Sequence, residues 1–222
     1  MSALAIAHRA GNSLAGLHEA RELGVDVIEC DVHHHRGRLE VRHLKTAGPL
    51  PFLWDRGELV SASAPRLGLE ELLAADRQGT ALMLDLKGRS PATARLLAGL
   101  VHDVAHQPLL ACGRFWASVD AAGELPYVRP VLSARNRLEL ARLRRRLASA
   151  PGSAYGASVH ASLLTRDVVA ELHRGLELVM TWPVNDTSTL DRVLGLGVTG
   201  VISDEADVLA ELLDRRRAGP HP

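Results

Sequence analysis

Aromatic residues and cysteines are scarce in this 222-residue sequence, and each scarcity argues against a class of protein. Phe, Trp and Tyr make up 3% of the chain, too few for the stacking surface that single-stranded nucleic acids need. The only cysteines, Cys30 and Cys112, lie far apart and provide neither a disulfide framework nor a metal-ligand spacing. We therefore expect no nucleic-acid partner, and we expect reduced thiols in a cytoplasmic protein.

Long apolar runs and an excess of one charge are also missing. No stretch of about eighteen apolar residues occurs, so we expect no membrane span. The short apolar run at 3–7 has no basic lead-in and no cleavage-site pattern, so we expect no signal peptide. Acidic and basic residues number 26 each, so any attraction for an anionic substrate must be local.

The chain does contain a regular alternation of short apolar segments and helical patterns, which predicts parallel β/α units. The predicted strands are 4–8, 25–33, 81–86, 109–115, 127–132, 156–160, 177–182 and 198–202. The predicted helices are 12–22, 69–77, 91–106, 136–147, 166–174, 187–194 and 204–215. A further extended piece is expected at 38–43, and a loop at 44–67. The fold class is α/β, a single TIM-type (β/α)8 barrel at 1–217, with a disordered tail at 218–222.

Two carboxylates share one face of the second predicted strand. Side chains alternate along a strand, so Glu29, Asp31 and His33 point one way and the residues between them point towards the helices. Carboxylates about 7 Å apart repel one another in a buried barrel mouth unless a cation or a proton intervenes. Pairing with arginines at a solvated rim is the alternative. The next parallel strand repeats the pattern with Asp85 and Lys87, which favours a hard divalent cation.

Two histidines end extended segments of the same predicted barrel. His8 closes the first strand and is followed by Arg9, and His43 closes the extended piece at 38–43. Imidazole titrates near neutral pH, so a pair of histidines beside a metal can serve as general acid and general base. A single histidine in such a position is more often structural, and the pairing with the carboxylates favours the catalytic interpretation.

Six segments together resemble the motifs of glycerophosphodiester phosphodiesterases, in the same order and over nearly the whole chain. The family opens with A-H-R-G, continues with L-G-A-D-x-I-E-x-D-V and follows with a strand that ends in His. Its later motifs are L-E-x-K, T-W-T-V-N and G-V-D-G-I-x-T-D. The matching segments here are 7–10 (AHRA), 23–33 (LGVDVIECDVH), 41–43 (VRH), 84–87 (LDLK), 181–186 (TWPVND) and 197–204 (GVTGVISD).

The resemblance implies a hydrolase that cleaves a small glycerophosphodiester to glycerol phosphate and an alcohol. It implies that one divalent cation, Mg²⁺ or Ca²⁺, is held by Glu29, Asp31 and Asp85, while His8 and His43 exchange protons. The substrate-binding residues that it implies are Arg9, Lys45, Lys87, His160 and Trp182. The partner is a small phosphodiester, and no oligomeric state is implied.

The sequence also departs from the family pattern. Gly11 follows the first motif where a loop with a glutamate is usual, Leu44 stands where an aspartate is usual, and Asp85 replaces a glutamate. The segment at 44–67 is too short for the usual inserted subdomain. Two alternatives stay open: a lipid phosphodiesterase of the lysophospholipase D or sphingomyelinase D kind, with Phe52 and Trp54 lining an apolar groove, and a non-catalytic barrel that binds phosphorylated ligands.

Overall fold

The computed structural model describes residues 2–46, 50–55, 58–61, 63–76, 79–89, 92–104 and 109–219. Its strands are β1 Leu4–Ala7, β2 Val27–His35, β3 Arg38–Val41, β4 Lys45–Thr46, β5 Phe52–Asp55, β6 Glu58–Ser61, β7 Ala81–Lys87, β8 Leu109–Gly113, β9 Val128–Ala134, β10 Gly156–His160, β11 Leu178–Trp182 and β12 Gly200–Ser203. Its helices are α1 Leu14–Leu23, α2 Leu69–Ala75, α3 Ala92–Val104, α4 Trp116–Gly123, α5 Arg137–Ser149, α6 Arg166–His173, α7 Thr187–Leu196 and α8 Ala206–Ala218.

Eight of these strands form a closed parallel barrel. Their order around the barrel is β1, β12, β11, β10, β9, β8, β7 and β2, and pairing of β1 with β2 closes the ring. A helix packs outside each barrel strand in the sequence pattern expected for β/α units. The predicted TIM-type barrel and all eight of its predicted strands are confirmed, with ends that shift by at most two residues.

The core has two layers because side chains alternate along each strand. Ile28, Cys30 and Val32 of β2 point outwards and pack with the helices in one large apolar cluster. A smaller cluster fills the barrel interior, with Val27 from β2 and Met83 from β7 among its members. The strand patterns therefore bury apolar residues on both faces, as parallel strands require.

A hairpin at the end of β2 brings His43 to the barrel mouth. Arg36 and Gly37 have φ values of 47° and 77°, the positive pair that a two-residue turn between antiparallel strands needs. β3 then runs back along β2, and the backbone N–H of Arg42 donates to the carbonyl oxygen of Asp31 at 3.0 Å. The extended piece predicted at 38–43 is thus a strand that pairs beside the acidic residues.

Two elements differ from the expectations. The segment predicted as a loop contains a three-stranded antiparallel sheet, β4–β5–β6, held by the fully buried Leu53. Helix α4 was absent from the predicted helices because two of the four residues on its buried face, Ser118 and Ala122, are small. Some predicted segments lie outside the described residues: 47–49, 56, 57 and 62 of the loop, the helix ends at 77, 91, 105 and 106, and 220–222 of the tail. Ala218, which was expected in the disordered tail, belongs to α8.

Candidate active site

A cavity of about 620 Å³ opens at the carboxyl ends of the barrel strands. This is the end of a β/α barrel where the βα loops gather reactive side chains. Eight of the predicted site residues line it: His8, Arg9, Glu29, His43, Lys45, Asp85, Lys87 and Trp182. The polar residues that interrupt the apolar strands therefore meet at one place.

Three carboxylates converge at the floor of this cavity. Each of Glu29, Asp31 and Asp85 offers an oxygen, and these atoms all lie within 4.8 Å of one another. Asp31 pairs in register with Asp85 across the β2–β7 contact, so the two strands deliver their acids at the same level. Glu29 and Asp31 are almost fully buried, at 2% and 1% exposure. The shorter side chain of Asp85 still reaches the cluster.

Lys87 compensates part of this negative charge. Its Nζ lies 2.5 Å from Asp31 Oδ1 and also contacts Asp85 Oδ2. Burial opposes the charge of Lys87, but Asp85 and Asp31 outweigh it and raise its pKa. Burial also opposes the charge of Asp31, yet Lys87 brings the pKa of that carboxyl below its ordinary value. The cluster therefore contains one ammonium group and three carboxyl groups.

The excess of negative charge in the cluster affects the pKa of Glu29. Its burial, followed by the charges of Asp31 and Asp85, raises its pKa well above the ordinary value. The backbone N–H of Arg9 donates a hydrogen bond to Glu29 Oε2 at 2.6 Å, which offsets only part of this shift. The cluster therefore favours an additional positive charge beside Glu29.

The turn after β1 is built to support the acids. Arg9 has a φ of 56°, a left-handed conformation that turns its backbone N–H towards Glu29. Asn12 holds Asp31 from two sides: its Nδ2 donates to Asp31 Oδ2 at 2.9 Å, and its Oδ1 accepts from the backbone N–H of Asp31 at 2.8 Å. From the sequence, Asn12 and Ser13 were the two candidate caps of the first helix, and the cap is Ser13.

His8 is oriented by a carboxylate from the far end of the chain. A hydrogen bond of 2.7 Å joins His8 Nδ1 to Asp204 Oδ1, and Asn185 Nδ2 donates to Asp204 Oδ2 at 3.3 Å. The other ring nitrogen, Nε2, lies 3.9 Å from Glu29 Oε2. Burial lowers the pKa of His8, and although Asp204 raises it, the net shift is downward. No role could be assigned to Asp204 from the sequence, because 196 positions separate it from its partner His8.

Of the three remaining predicted site residues, Lys45 and Trp182 line the cavity and His160 does not. Lys45 Nζ lies 5.3 Å from the centre of the Trp54 ring, on the small antiparallel sheet. Trp182 lines the cavity and meets His160 edge to face, with ring centres 5.2 Å apart. His160 itself is not among the lining residues, and its Nδ1 is hydrogen-bonded to Ser162 Oγ at 2.8 Å. The structure therefore places His160 behind Trp182 rather than in the cavity.

The acidic cluster has the chemistry of a divalent-cation site. All its donor atoms are carboxylate oxygens, the ligands that Mg²⁺ and Ca²⁺ prefer. Three carboxyl groups face one ammonium group, so negative charge is in excess when all of them are ionised, and burial together with Asp31 and Asp85 raises the pKa of Glu29. A hard cation bound by Glu29, Asp31 and Asp85 relieves that excess, so the donor set fits a metal.

Fold and site together define a TIM-type β/α barrel with a carboxylate cluster at its catalytic end. Several solved structures share this fold. A phosphodiesterase from Oleispira antarctica, in complex with the product sn-glycerol-3-phosphate, is 20% identical, with a TM-score of 0.75 over 95% of this chain and 96% of that one.

The second solved structure is a glycerophosphodiester phosphodiesterase from Thermotoga maritima, which is 15% identical, with a TM-score of 0.73 over 96% of this chain and 99% of that one. A glycerophosphodiester phosphodiesterase from Parabacteroides distasonis is 20% identical, with a TM-score of 0.71 over 97% and 98%. At these identities the likeness establishes a common fold over the whole barrel.

No protein-family model and no curated protein sequence matches the chain. No helix in the described part of the chain combines the length and the apolar character that crossing a membrane demands.

Proposed function

We propose that the chain is a metal-dependent phosphodiester hydrolase that cleaves a small glycerophosphodiester to glycerol phosphate and an alcohol. The observation that carries this proposal is the convergence of Glu29, Asp31 and Asp85 from two strands within 4.8 Å. The sequence motifs and the fold shared with glycerophosphodiester phosphodiesterases support it. Both cysteines are free and buried, which suits the cytoplasmic location that forms part of the proposal.

The acids hold the cation and the cationic side chains hold the phosphate. Glu29, Asp31 and Asp85 would hold Mg²⁺ or Ca²⁺, which would supply positive charge to the reacting phosphate. Arg9 and Lys87 line the same cavity and add fixed positive charge where the phosphoryl group gains negative charge. Because these groups are positioned before the substrate arrives, little reorganisation opposes the reaction.

The two histidines move protons on either side of the phosphate. With Asp204 accepting from Nδ1, His8 keeps Nε2 facing the acidic cluster with a lone pair to take a proton. His43, which follows β3, lines the same cavity. One histidine deprotonates the attacking water, and the other protonates the departing alcohol oxygen. Lys45 and Trp182 border the space for the alcohol, and His160 positions Trp182.

Hydrolysis of glycerophosphocholine tests the proposal. We expect release of choline with added Mg²⁺ or Ca²⁺, and loss of that release with EDTA that returns when the metal is restored. A matched control is the His43→Gln variant, which we expect to bind the metal yet turn over slowly. Folded protein that hydrolyses no diester with any divalent ion would support the alternative of a phospho-ligand-binding barrel.

A lipid phosphodiesterase is the second candidate, because apolar side chains are exposed beside the cavity. Phe52, Trp54 and Leu59 share one face of the β4–β6 sheet and are 41%, 46% and 65% exposed. Lys45, which lies over Trp54, also lines the cavity. An acyl chain of a lysophospholipid fits such a surface next to a phosphate site.

The Trp54→Ala variant separates the two candidates. Under the lipid alternative, it lowers kcat/KM for lysophosphatidylcholine and leaves glycerophosphocholine unchanged. The Leu138→Ala variant is the matched control, because Leu138 is an exposed leucine, at 83%, on helix α5. Equal rates of wild type and Trp54→Ala on the lysolipid would count against the lipid alternative.

A further inference from the structure

Three arginines surround a second cavity beside the proposed diester site. Arg89 and Arg114 follow the ends of the adjacent strands β7 and β8, and Arg142 projects from α5. The cavity has a volume of about 300 Å³. Its lining consists of these arginines with Phe115, Trp116 and Glu139. No role in the proposed hydrolysis accounts for this group.

Aromatic rings hold the guanidinium groups in place. Arg89 Cζ and Arg114 Cζ lie 4.7 Å and 5.9 Å from the centre of the Phe115 ring. Arg142 Cζ lies 4.3 Å from the centre of the Trp116 ring, and that ring is buried with its Nε1 donating to the carbonyl oxygen of Ser133 at 3.1 Å. A contact with a ring face orients a guanidinium group without using its N–H donors. These donors are therefore available to a ligand.

The positive charge of this cavity is not balanced within the described residues. Among the described residues, Glu139 is the only acidic one that lines the cavity. Arg135 binds both carboxylate oxygens of Glu139, with N–O distances of 2.7 Å and 3.2 Å. None of the described carboxylates forms an ion pair with Arg89, Arg114 or Arg142. A chain of zero net formal charge thus concentrates cations at one point of the barrel rim. Such a pocket favours an anionic ligand.

The arginine pocket adjoins the proposed diester site. Arg114 and Phe115 line both cavities. Cys112 of β8 pairs in register with Asp85, and Arg114 lies two residues further along the chain. Two residues of a strand span about 7 Å, so the backbone of Arg114 lies about that far beyond the level of Asp85. A small substituent on the phosphate can span this distance. A phosphate held at the cluster can therefore place a second charge, a few bonds away, among the arginines.

We propose that this arginine pocket binds a second anionic group, a carboxylate or a phosphate, carried by the alcohol half of the diester. The inference rests on the proposed function, and it names the class of head group that the enzyme prefers. Arginine suits this task because its planar fork donates two hydrogen bonds to either anion.

A pair of substrates that differ by one carboxylate tests this preference. Glycerophosphoserine carries a carboxylate that glycerophosphoethanolamine lacks, and the two are otherwise identical. We expect wild type to favour the serine diester by about tenfold in kcat/KM, since ionic hydrogen bonds to arginine contribute on this scale. Added salt reduces the ratio, because the pocket is open to solvent.

The Arg89→Gln/Arg142→Gln double variant removes the preference and keeps hydrolysis of the ethanolamine diester. Both side chains are exposed and outside the larger cavity, and the Arg142→Gln single variant serves if the double variant is unstable. The matched control is Arg137→Gln, an exposed arginine of α5 that lines neither cavity. A serine-to-ethanolamine ratio near one in wild type, or an unchanged ratio in the variant, overturns the proposal.

Binding without metal distinguishes failure of the pocket from failure of the proposed function. Calorimetric titration with O-phosphoserine and with phosphoethanolamine compares the same carboxylate difference when no reaction takes place. Tighter binding of O-phosphoserine that the double variant loses supports the pocket even if no diester is hydrolysed. Hydrolysis of both diesters together with equal binding of both probes leaves the hydrolase standing and overturns the arginine pocket.

Discussion

At the scale of single residues, the site is a balance of charges at fixed positions. Three acids and one lysine meet below the cavity, and Glu29 is left with a strongly raised pKa while that of Asp31 is lowered. The balance depends on Asp85, because it contacts Lys87 and completes the set of oxygens. Asp85 is also the position at which the sequence departs from the glutamate of the resembling family.

Two substitutions of Asp85 test its role as a ligand. Asp85→Asn keeps the size of the side chain and removes its charge, so we expect weaker binding of the cation and a fall in kcat/KM of at least about 100-fold. Asp85→Glu keeps the charge and the donor type, so we expect it to retain most of the activity. Activity measured against metal concentration checks both variants, and an Asp85→Asn enzyme with an unchanged metal requirement would contradict the assignment.

The alternation of side chains made the acidic residues predictable from sequence alone. Glu29 and Asp31 share a face in any extended strand, and Asp85 repeats that placement on a second strand. Asn12 and Asp204 could not be assigned in this way, since their partners are fixed by the fold. Asn12 reaches Asp31 through a turn, and Asp204 reaches His8 through closure of the barrel.

At the scale of elements, the turn between β1 and α1 lies directly against β2. A Cβ on Gly11 would lie 2.8 Å from the Cβ of Cys30 and 3.1 Å from the carbonyl oxygen of Glu29. Neither atom can move aside easily, because one is a backbone oxygen and the other is a Cβ bonded directly to the backbone. The glycine therefore permits the close approach that places Asn12 and Arg9 against the acidic residues.

The Gly11→Ala variant tests this packing. We expect a loss of about 1–3 kcal/mol in the free energy of unfolding, because the added methyl group forces the turn away from β2. Gly99→Ala is the matched control, since Gly99 lies exposed in α3 and a methyl group added there meets nothing within 4 Å. That control gains up to about 1 kcal/mol from helix propensity. Urea unfolding measures both, and equal stability of the two variants would contradict the close contact.

Helix α7 begins at a titratable cap. The Asp186 carboxylate accepts hydrogen bonds from Ser188 and Thr189, and these lower its pKa to about 2. Because the folded-state pKa is below the ordinary value, the stabilisation by Asp186 is complete above about pH 4 and is lost as the pH falls towards 2. We expect the wild type to unfold at a higher urea midpoint than Asp186→Ala above about pH 4. The difference between the two midpoints should shrink as the pH falls towards 2.

Asp186→Asn is the control for this pH dependence. Its amide oxygen accepts the same backbone hydrogen bond but does not titrate, so its advantage over Asp186→Ala stays constant with pH. A wild-type advantage that is equally constant would show that the cap does not depend on ionisation of Asp186.

The elements that sequence patterns missed are those with little apolar periodicity. Two of the four residues on the buried face of helix α4 are small, so its pattern is weak. In the sequence, prolines and glycines separate the strands of the small sheet, and among its described side chains only Leu53 is buried. The eight barrel strands were predictable because short apolar stretches of the kind that parallel strands bury recur along the sequence, and in β2 the acidic residues alternate with apolar ones.

At the scale of the whole molecule, the barrel gathers residues from distant parts of a chain with no net charge. His8 and Asp204 meet because β1 pairs with β12, and Asp31 and Asp85 meet because β2 pairs with β7. The carboxyl ends of the strands therefore carry an acidic cluster at the bottom of the larger cavity and an arginine pocket beside that cavity. This separation of charge suits a ligand whose phosphate is held through a cation and whose second anion is held directly.

Diffraction from crystals soaked with Ca²⁺ tests the shared cation site most directly. The account predicts one strong peak bonded to oxygens of Glu29, Asp31 and Asp85 at about 2.3–2.6 Å, with Lys87 displaced from its contact between the aspartates. Isothermal titration of Asp85→Asn should show the matching loss of affinity. No peak at millimolar Ca²⁺, or a peak that Asp85 does not contact, would contradict the claim that three acids from two strands hold one ion.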